Sequence, residues 1–197
     1  IGIALRLHAM IAVVQRVSHA SVAVKAEGYR AEIGAGLCVL LGVEQGDTET
    51  EADWMAGKLA RLRIFRDEHD KMNRSVQDIG GEVLLVSQFT LAGDCSKGNR
   101  PSFVAAAAPE LGRRLYECVT ERLRDEHSLP VKTGVFGAKM ALLSKGIRKR
   151  AVEVARKMTY RELSVDPGFM EEYVSAMFLP HTDCGRFPDA CATLQFS

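Results

Sequence analysis

Short apolar runs broken by glycines fill the first third of the chain, and the period changes at Thr48. Residues 11–17 and 21–25 carry the two-residue alternation of half-buried strands and predict a strand pair. Residues 37–43 are continuously apolar and predict a buried strand. Thr48 and Glu51 then form a Ser/Thr-x-x-Glu capping box, followed by Met55, Leu59 and Leu62 at i, i+4, i+7. A helix with an apolar stripe is expected there, so Trp54 and Met55 belong to the core. Strand character returns at 62–65 and 83–89, separated by a polar loop at 67–74 and the Gly80-Gly81 turn. Pro109 predicts the start of a second helix, with Leu111, Leu115, Val119 and Leu123 on one face. Residues 131–136 read as a further strand. Strands in runs with two helices between them point to an α+β domain, not a doubly wound parallel sheet.

The texture changes after Met140. Residues 145–161 carry seven cations against one acid, Glu153, and the spacing of Ile147, Val152, Val154, Ala155 and Met158 fits a helix better than a strand. This basic stretch could hold RNA or form an exposed helix face. Asp166-Pro167 makes an N-cap and N1 pair for a short helix through Phe169, Met170, Tyr173, Val174 and Met177. Residues 179–197 have no clear period.

Composition narrows the classes. With 47% hydrophobic and 26% charged residues in 197, the chain has material for one ordinary globular domain and a modest extension. A net charge of +1 provides no global attraction for nucleic acid, so any such affinity must be local. Five cysteines without a CxxC pair argue against a zinc knuckle or a disulfide scaffold and favour a reducing cytoplasm. His181, Asp183 and Cys184 lack a fourth partner, so no metal and no cofactor are expected. No apolar run approaches the roughly 18 residues of a membrane span. Residues 1–9, IGIALRLHA, read as an upstream extension.

The stretch VSQFTLAGDCSKGNRPSF, 86–103, carries the candidate chemistry. An apolar strand runs straight into Ser87, Gln88 and Thr90, which a rigid strand end can present at a cleft. Thr90 is a candidate nucleophile or water-orienting hydroxyl; equally, a Thr at a strand end bonds its own backbone. The amides around Gln88, Phe89 and Thr90 could polarise an acyl oxygen whatever their side chains. Lys97 and Arg100 flank Gly98, which suits phosphate as well as a solvated loop. The chain has no Gly-x-Ser-x-Gly elbow, and its five histidines lie outside this stretch.

From MIAVVQRV (10–17) through ASV (20–22), GLCVLLGV (36–43), LRIF (62–65), KMNRS (71–75), SQFT (87–90), KGNRPSF (97–103) and TGVFGA (133–138), the chain resembles the D-aminoacyl-tRNA deacylases. The resemblance implies layered sheets or a partial barrel with two helices packed on one side, over residues 10–140. It implies hydrolysis of the ester of D-aminoacyl-tRNA, and of glycyl-tRNA mischarged on tRNA-Ala, by a cytoplasmic homodimer acting at the tRNA acceptor end. Ser87, Gln88, Phe89 and Thr90 would form the catalytic stretch; Phe136, Gly137, Ala138 and Met140 the substrate wall; Lys97 and Arg100 the tRNA contact. Neither membrane nor DNA is an expected partner. Ser87 and Gln88 would brace the loop or touch the terminal adenosine, and strand-end packing is the alternative role for Phe136.

The resemblance fails at one place. The family carries an Asn-x-Gly-Pro-Val-Thr segment that screens chirality across a dimer interface, and this chain has no Gly-Pro dipeptide. Weakened chiral selection is therefore expected. Residues 137–183 instead resemble the C-terminal end of ATPase-type reductive activators of corrinoid proteins, in GAKMALLS, ELSVDPGFMEEYVSAMF and FLPHTD. Residues 141–197 are thus expected to be a helical extension outside the family, with a seam at 137–140, through fusion or a frame change. The alternative function is a non-catalytic tRNA- or ribosome-associated module. A fragment of an ATP-dependent activator ranks last, because the chain lacks a GxxxxGK[ST] phosphate loop.

Overall fold

The computed structural model describes residues 2–7, 10–96, 99–146 and 192–195. One strand organises it. β2 (Met10–Val24) runs unbroken through the two segments predicted as a strand pair. What separates them is a slip in pairing between Val17 and His19. Ala12 and Val14 face one core, whereas Val17, Ala20, Val22 and Val24 face another. A bulge of this kind re-aims the side chains and increases twist, so the polar Ser18-His19 pair marks a bend rather than a turn.

Along one edge of β2 lie β3 (Tyr29–Ile33) and β4 (Gly36–Gly42), antiparallel to it end to end. Along the other lie β1 (Gly2–Leu7) and β9 (Ala141–Gly146). Residues 2–7 of the upstream extension therefore form a sheet strand. So do the first six residues of the expected helical extension, whose buried Leu142 joins the same core as Val22. β10 (Ala192–Gln195) pairs with β9. The helices expected between 147 and 191 lie outside the described residues.

β4 continues into β7 (Glu82–Ser87) and β8 (Val131–Thr133) as parallel neighbours. Gly36 makes the first β4–β7 rung possible: a Cβ there would lie 1.9 Å from the Glu82 carbonyl oxygen. β5 (Phe65–Arg66) and β6 (Met72–Arg74) form a small separate hairpin.

One face of the sheet is covered by α1 (Glu49–Arg61) and α2 (Pro109–Asp125). The capping box is present as predicted, with Glu51 accepting the Thr48 amide at 2.8 Å. Met55 and Leu59 of α1 meet Leu115, Val119 and Leu123 of α2 over Leu37, Val39, Leu41, Val83 and Leu85. The other face curls over itself: Cys38, Leu40, Leu84 and Val86 pack against the far half of β2, β3 and Leu142. β3 thereby reaches β7 and β8, giving the expected partial barrel with two helices on one side. Ahead of α1, burial pushes the Asp47 carboxyl up, aided by the nearby Glu44 and Glu51 charges and opposed by the Glu44 amide it accepts at 2.7 Å. Among the described residues, no helix is long and apolar enough to cross a membrane.

Candidate functional site

Three parallel strands end together. Leu41 near the end of β4 faces Ser87 at the end of β7, and Leu85 faces Thr133 at the end of β8. The two stretches singled out in the sequence, 87–90 and 136–138, thus leave the sheet from adjacent strand ends. The carboxyl ends of parallel strands are where departing loops open a crevice.

β7 does not continue through Phe89 as its apolar run suggests. The Gln88 amide makes a last rung to the Leu41 carbonyl at 2.8 Å, and the chain then enters a single 3-10 turn, Phe89–Ala92. Gly42 admits this turn, since a Cβ on it would stand 3.0 Å from Leu91 Cβ and 3.1 Å from the Gln88 oxygen. Bonding within the turn begins with the Leu91 amide on the Gln88 carbonyl, 3.3 Å. The amides of Phe89 and Thr90 precede that bond, and a helix start has no acceptor of its own for such groups. Gln88 is buried and its Nε2 donates to Thr90 Oγ1, so it orients the half-buried threonine hydroxyl. Ser87, half-buried, closes the strand. The Phe89 ring is 54% exposed and meets Phe103 edge to face, 5.4 Å between centroids.

The opposite wall is the turn after β8. It opens with the Gly134 amide on the Leu85 carbonyl at 3.0 Å and is closed by the Ala138 amide on Val135 at 3.2 Å. Gly137 has φ +78, a conformation that side chains resist. Met140, expected in the pocket wall, is instead buried with Val86 and Leu142. Its sulfur lies 2.5 Å from where a Gly134 Cβ would be, so it supports the turn from below. Ala138 is half-buried against the same core. Phe136 is half-buried between Tyr116, 6.0 Å away, and the Arg113 guanidinium, 4.9 Å from the ring centre.

The 94–102 loop is pinched by two backbone bonds between Asp94 and Ser102, of 2.8 and 2.9 Å. Arg100 is exposed on it; Lys97 lies outside the described residues. The return segment bonds the chain beyond β4, through the Gln45 amide to Ala105 (2.8 Å) and the Ala107 amide to Val43 (3.0 Å).

Sequence reasoning missed two residues. Tyr116 Oη donates to the Leu85 carbonyl at 2.8 Å, and Tyr29 Oη to the Thr133 carbonyl at 2.7 Å. Tyr116 lies beside Leu115 on the apolar stripe of α2 and looks like core there; nothing local in the chain marks its hydroxyl. His181, Asp183 and Cys184 lie outside the described residues, and among those described no three His, Cys, Asp or Glu side chains converge as a metal would require.

Comparison with known proteins places the chain in a family. The family model described as D-Tyr-tRNA(Tyr) deacylase matches residues 13–146, which carries the match through β9. A second model, the C-terminal domain of RACo (the ASKHA domain), matches 129–190 and supports the resemblance seen in the tail. The D-aminoacyl-tRNA deacylase of Variovorax paradoxus (strain S110) is 60% identical over 131 residues, 66% of this chain and 88% of that protein. That of Desulfitobacterium hafniense (strain DSM 10664 / DCB-2) is 55% identical over 139 residues, 70% of this chain and 92% of that one. Among solved structures, the c-Myc DNA unwinding element binding protein superposes with a TM-score of 0.62 at 43% identity, over 68% of this chain and 90% of that one. A probable eukaryotic D-amino acid tRNA deacylase, at 18% identity and TM-score 0.61, shares the fold over 70% of this chain and 94% of its own. With its family match spanning β3 through β9 and both candidate walls, the chain belongs to the D-Tyr-tRNA(Tyr) deacylase family.

Proposed function

We propose that the protein hydrolyses the ester joining a D-amino acid to the terminal ribose of tRNA, releasing the free D-amino acid and tRNA. The observation that carries this reading is the pair of leading amides at Phe89 and Thr90, held on a buried strand end in a chain of a deacylase family. An aminoacyl ester is already activated. Two preorganised N–H donors at its carbonyl oxygen and an oriented water are sufficient chemistry. Thr90 accepts from Gln88, so its own proton points away to steer that water or the 2′-hydroxyl. Main chain carries the reaction in this reading, and the Thr90 side chain assists.

Phe136, Gly137 and Ala138 form the wall that crowds the amino acid, with Met140 acting on them through Gly134. Glycine, lacking a side chain, passes the same wall, so glycyl-tRNA is a second substrate. Arg100 and Lys97 meet phosphates of the acceptor end. The enzyme works in the cytoplasm as a homodimer. Without a Gly-Pro segment its chiral selection is weakened.

Release of tyrosine from D-Tyr-tRNA and L-Tyr-tRNA by the purified full chain tests the reading. D-tyrosine is expected to leave faster, and Thr90→Ala to retain activity within roughly tenfold, because the amides remain. Equal rates for the two would remove the chiral part of the proposal. No release of either would overturn it.

A further inference from the structure

We propose that Tyr116 and Tyr29 are positioning residues for this site: from opposite faces of the sheet, their hydroxyls pin the β7–β8 junction from which both site walls depart. Where it concerns catalysis, this rests on the function proposed above. Leu85 and Gly134 are the hinge points. The Leu85 carbonyl accepts the Gly134 amide at 3.0 Å and the Tyr116 hydroxyl at 2.8 Å, which occupies both of its lone pairs. Three residues beyond Leu85 the chain reaches Gln88 and the amide-bearing turn. Gly134 begins the wall containing Phe136. Any displacement of that one carbonyl therefore moves both walls.

Tyr116 comes from α2 on the helix-covered face and is 4% exposed; its ring also lies against Phe136. Tyr29 comes from β3, packs with the core on the other face, and bonds the Thr133 carbonyl one residue before Gly134. The sheet does not need Tyr116 to satisfy Leu85, because the Gly134 amide already does so. The buried Tyr116 hydroxyl needs a partner, and both it and the half-buried Tyr29 hydroxyl find theirs at the end of the sheet that carries the candidate site. Burial pushes the Tyr116 phenol up, so it stays a donor at any working pH.

The test compares Tyr116→Phe and Tyr29→Phe in the full chain, which keep the rings and remove only the hydroxyls. Amide hydrogen exchange is read at Gln88 and at Gly134, with the β2–β4 ladder as internal reference. Tyr116→Phe is expected to speed exchange roughly five- to tenfold at both amides and to leave the reference unchanged, with a smaller effect from Tyr29→Phe. On D-Tyr-tRNA, kcat falls by a similar factor while KM stays within about twofold, as expected when positioning rather than binding is lost. Unchanged exchange, faster exchange at one amide alone, or a uniform rise across the sheet would each overturn the proposal. So would an unchanged kcat beside loosened walls. If the wild-type chain hydrolyses no aminoacyl-tRNA, the function proposed above fails, and the exchange pattern alone decides whether the tyrosines couple the two walls.

Discussion

The two faces of the central sheet are built by different means. One is covered by α1 and α2, whose apolar stripes meet the odd-numbered residues Leu37, Val39, Leu41, Val83 and Leu85. The other has no α-helix among the described residues and is closed by the sheet's own curl, over Cys38, Leu40, Leu84 and Val86. Helices pack by side-chain interdigitation and can shift to fill a gap, whereas hydrogen-bonded strands hold their spacing. The candidate site lies at the sheet end where these faces meet, and one tyrosine from each bonds a strand-end carbonyl there.

The largest effect is expected where the curl begins. Gly36→Ala places a Cβ 1.9 Å from the Glu82 oxygen and 2.8 Å from its nitrogen and carbonyl carbon, all backbone atoms. The first β4–β7 rung must break, at a cost of roughly 3 kcal/mol or more, seen as a lowered urea midpoint or loss of folded protein. Wild-type stability for this variant would show that the faces are not joined through that rung.

A direct comparison comes from neighbouring leucines, both fully buried on β7. Leu85→Ala opens a cavity towards the helices and Leu84→Ala one towards the strands, each costing roughly 2–5 kcal/mol. Leu84→Ala should cost about 1 kcal/mol more, because the strand-lined side collapses less. Equal denaturation midpoints would mean that both faces relax alike.

The smallest effect concerns pH. The folded Asp47 carboxyl is raised above its unfolded value, so its contribution to stability is present at low pH and lost as pH rises through the folded pKa. Asp47→Asn should therefore gain on the wild type as pH increases from about 4 to 7, since an ordinary carboxylate titrates near 3.9. Parallel denaturation curves at both pH values would show that folding leaves the Asp47 carboxyl unshifted.

The helix-covered face was largely legible in the chain. Thr48 and Glu51 announced α1, Pro109 announced α2, and Met55, Leu59, Leu115, Val119 and Leu123 were all placed in the core. These signals are local, and local physics decides them. The curled face was less legible. The Ser18 bend looked like the gap between two strands, and residues 1–9 and 141–146 looked like appendages because a strand edge is recognised only through its partner. Ser87 through Thr90 were singled out as candidates, but the end of the strand at Gln88 was not foreseen. That end depends on Gly42, forty-six residues earlier, leaving room for the Leu91 turn.

By itself the sequence determined α1, α2, the apolar rungs and the polar strand end where chemistry was expected, since each depends on neighbours within a few residues. Tertiary structure alone decided which strand ends meet, which carbonyls the two tyrosines hold, and that Met140 lies under the wall rather than in it. Those outcomes depend on contacts between residues tens of positions apart, for which the chain carries no local period or cap.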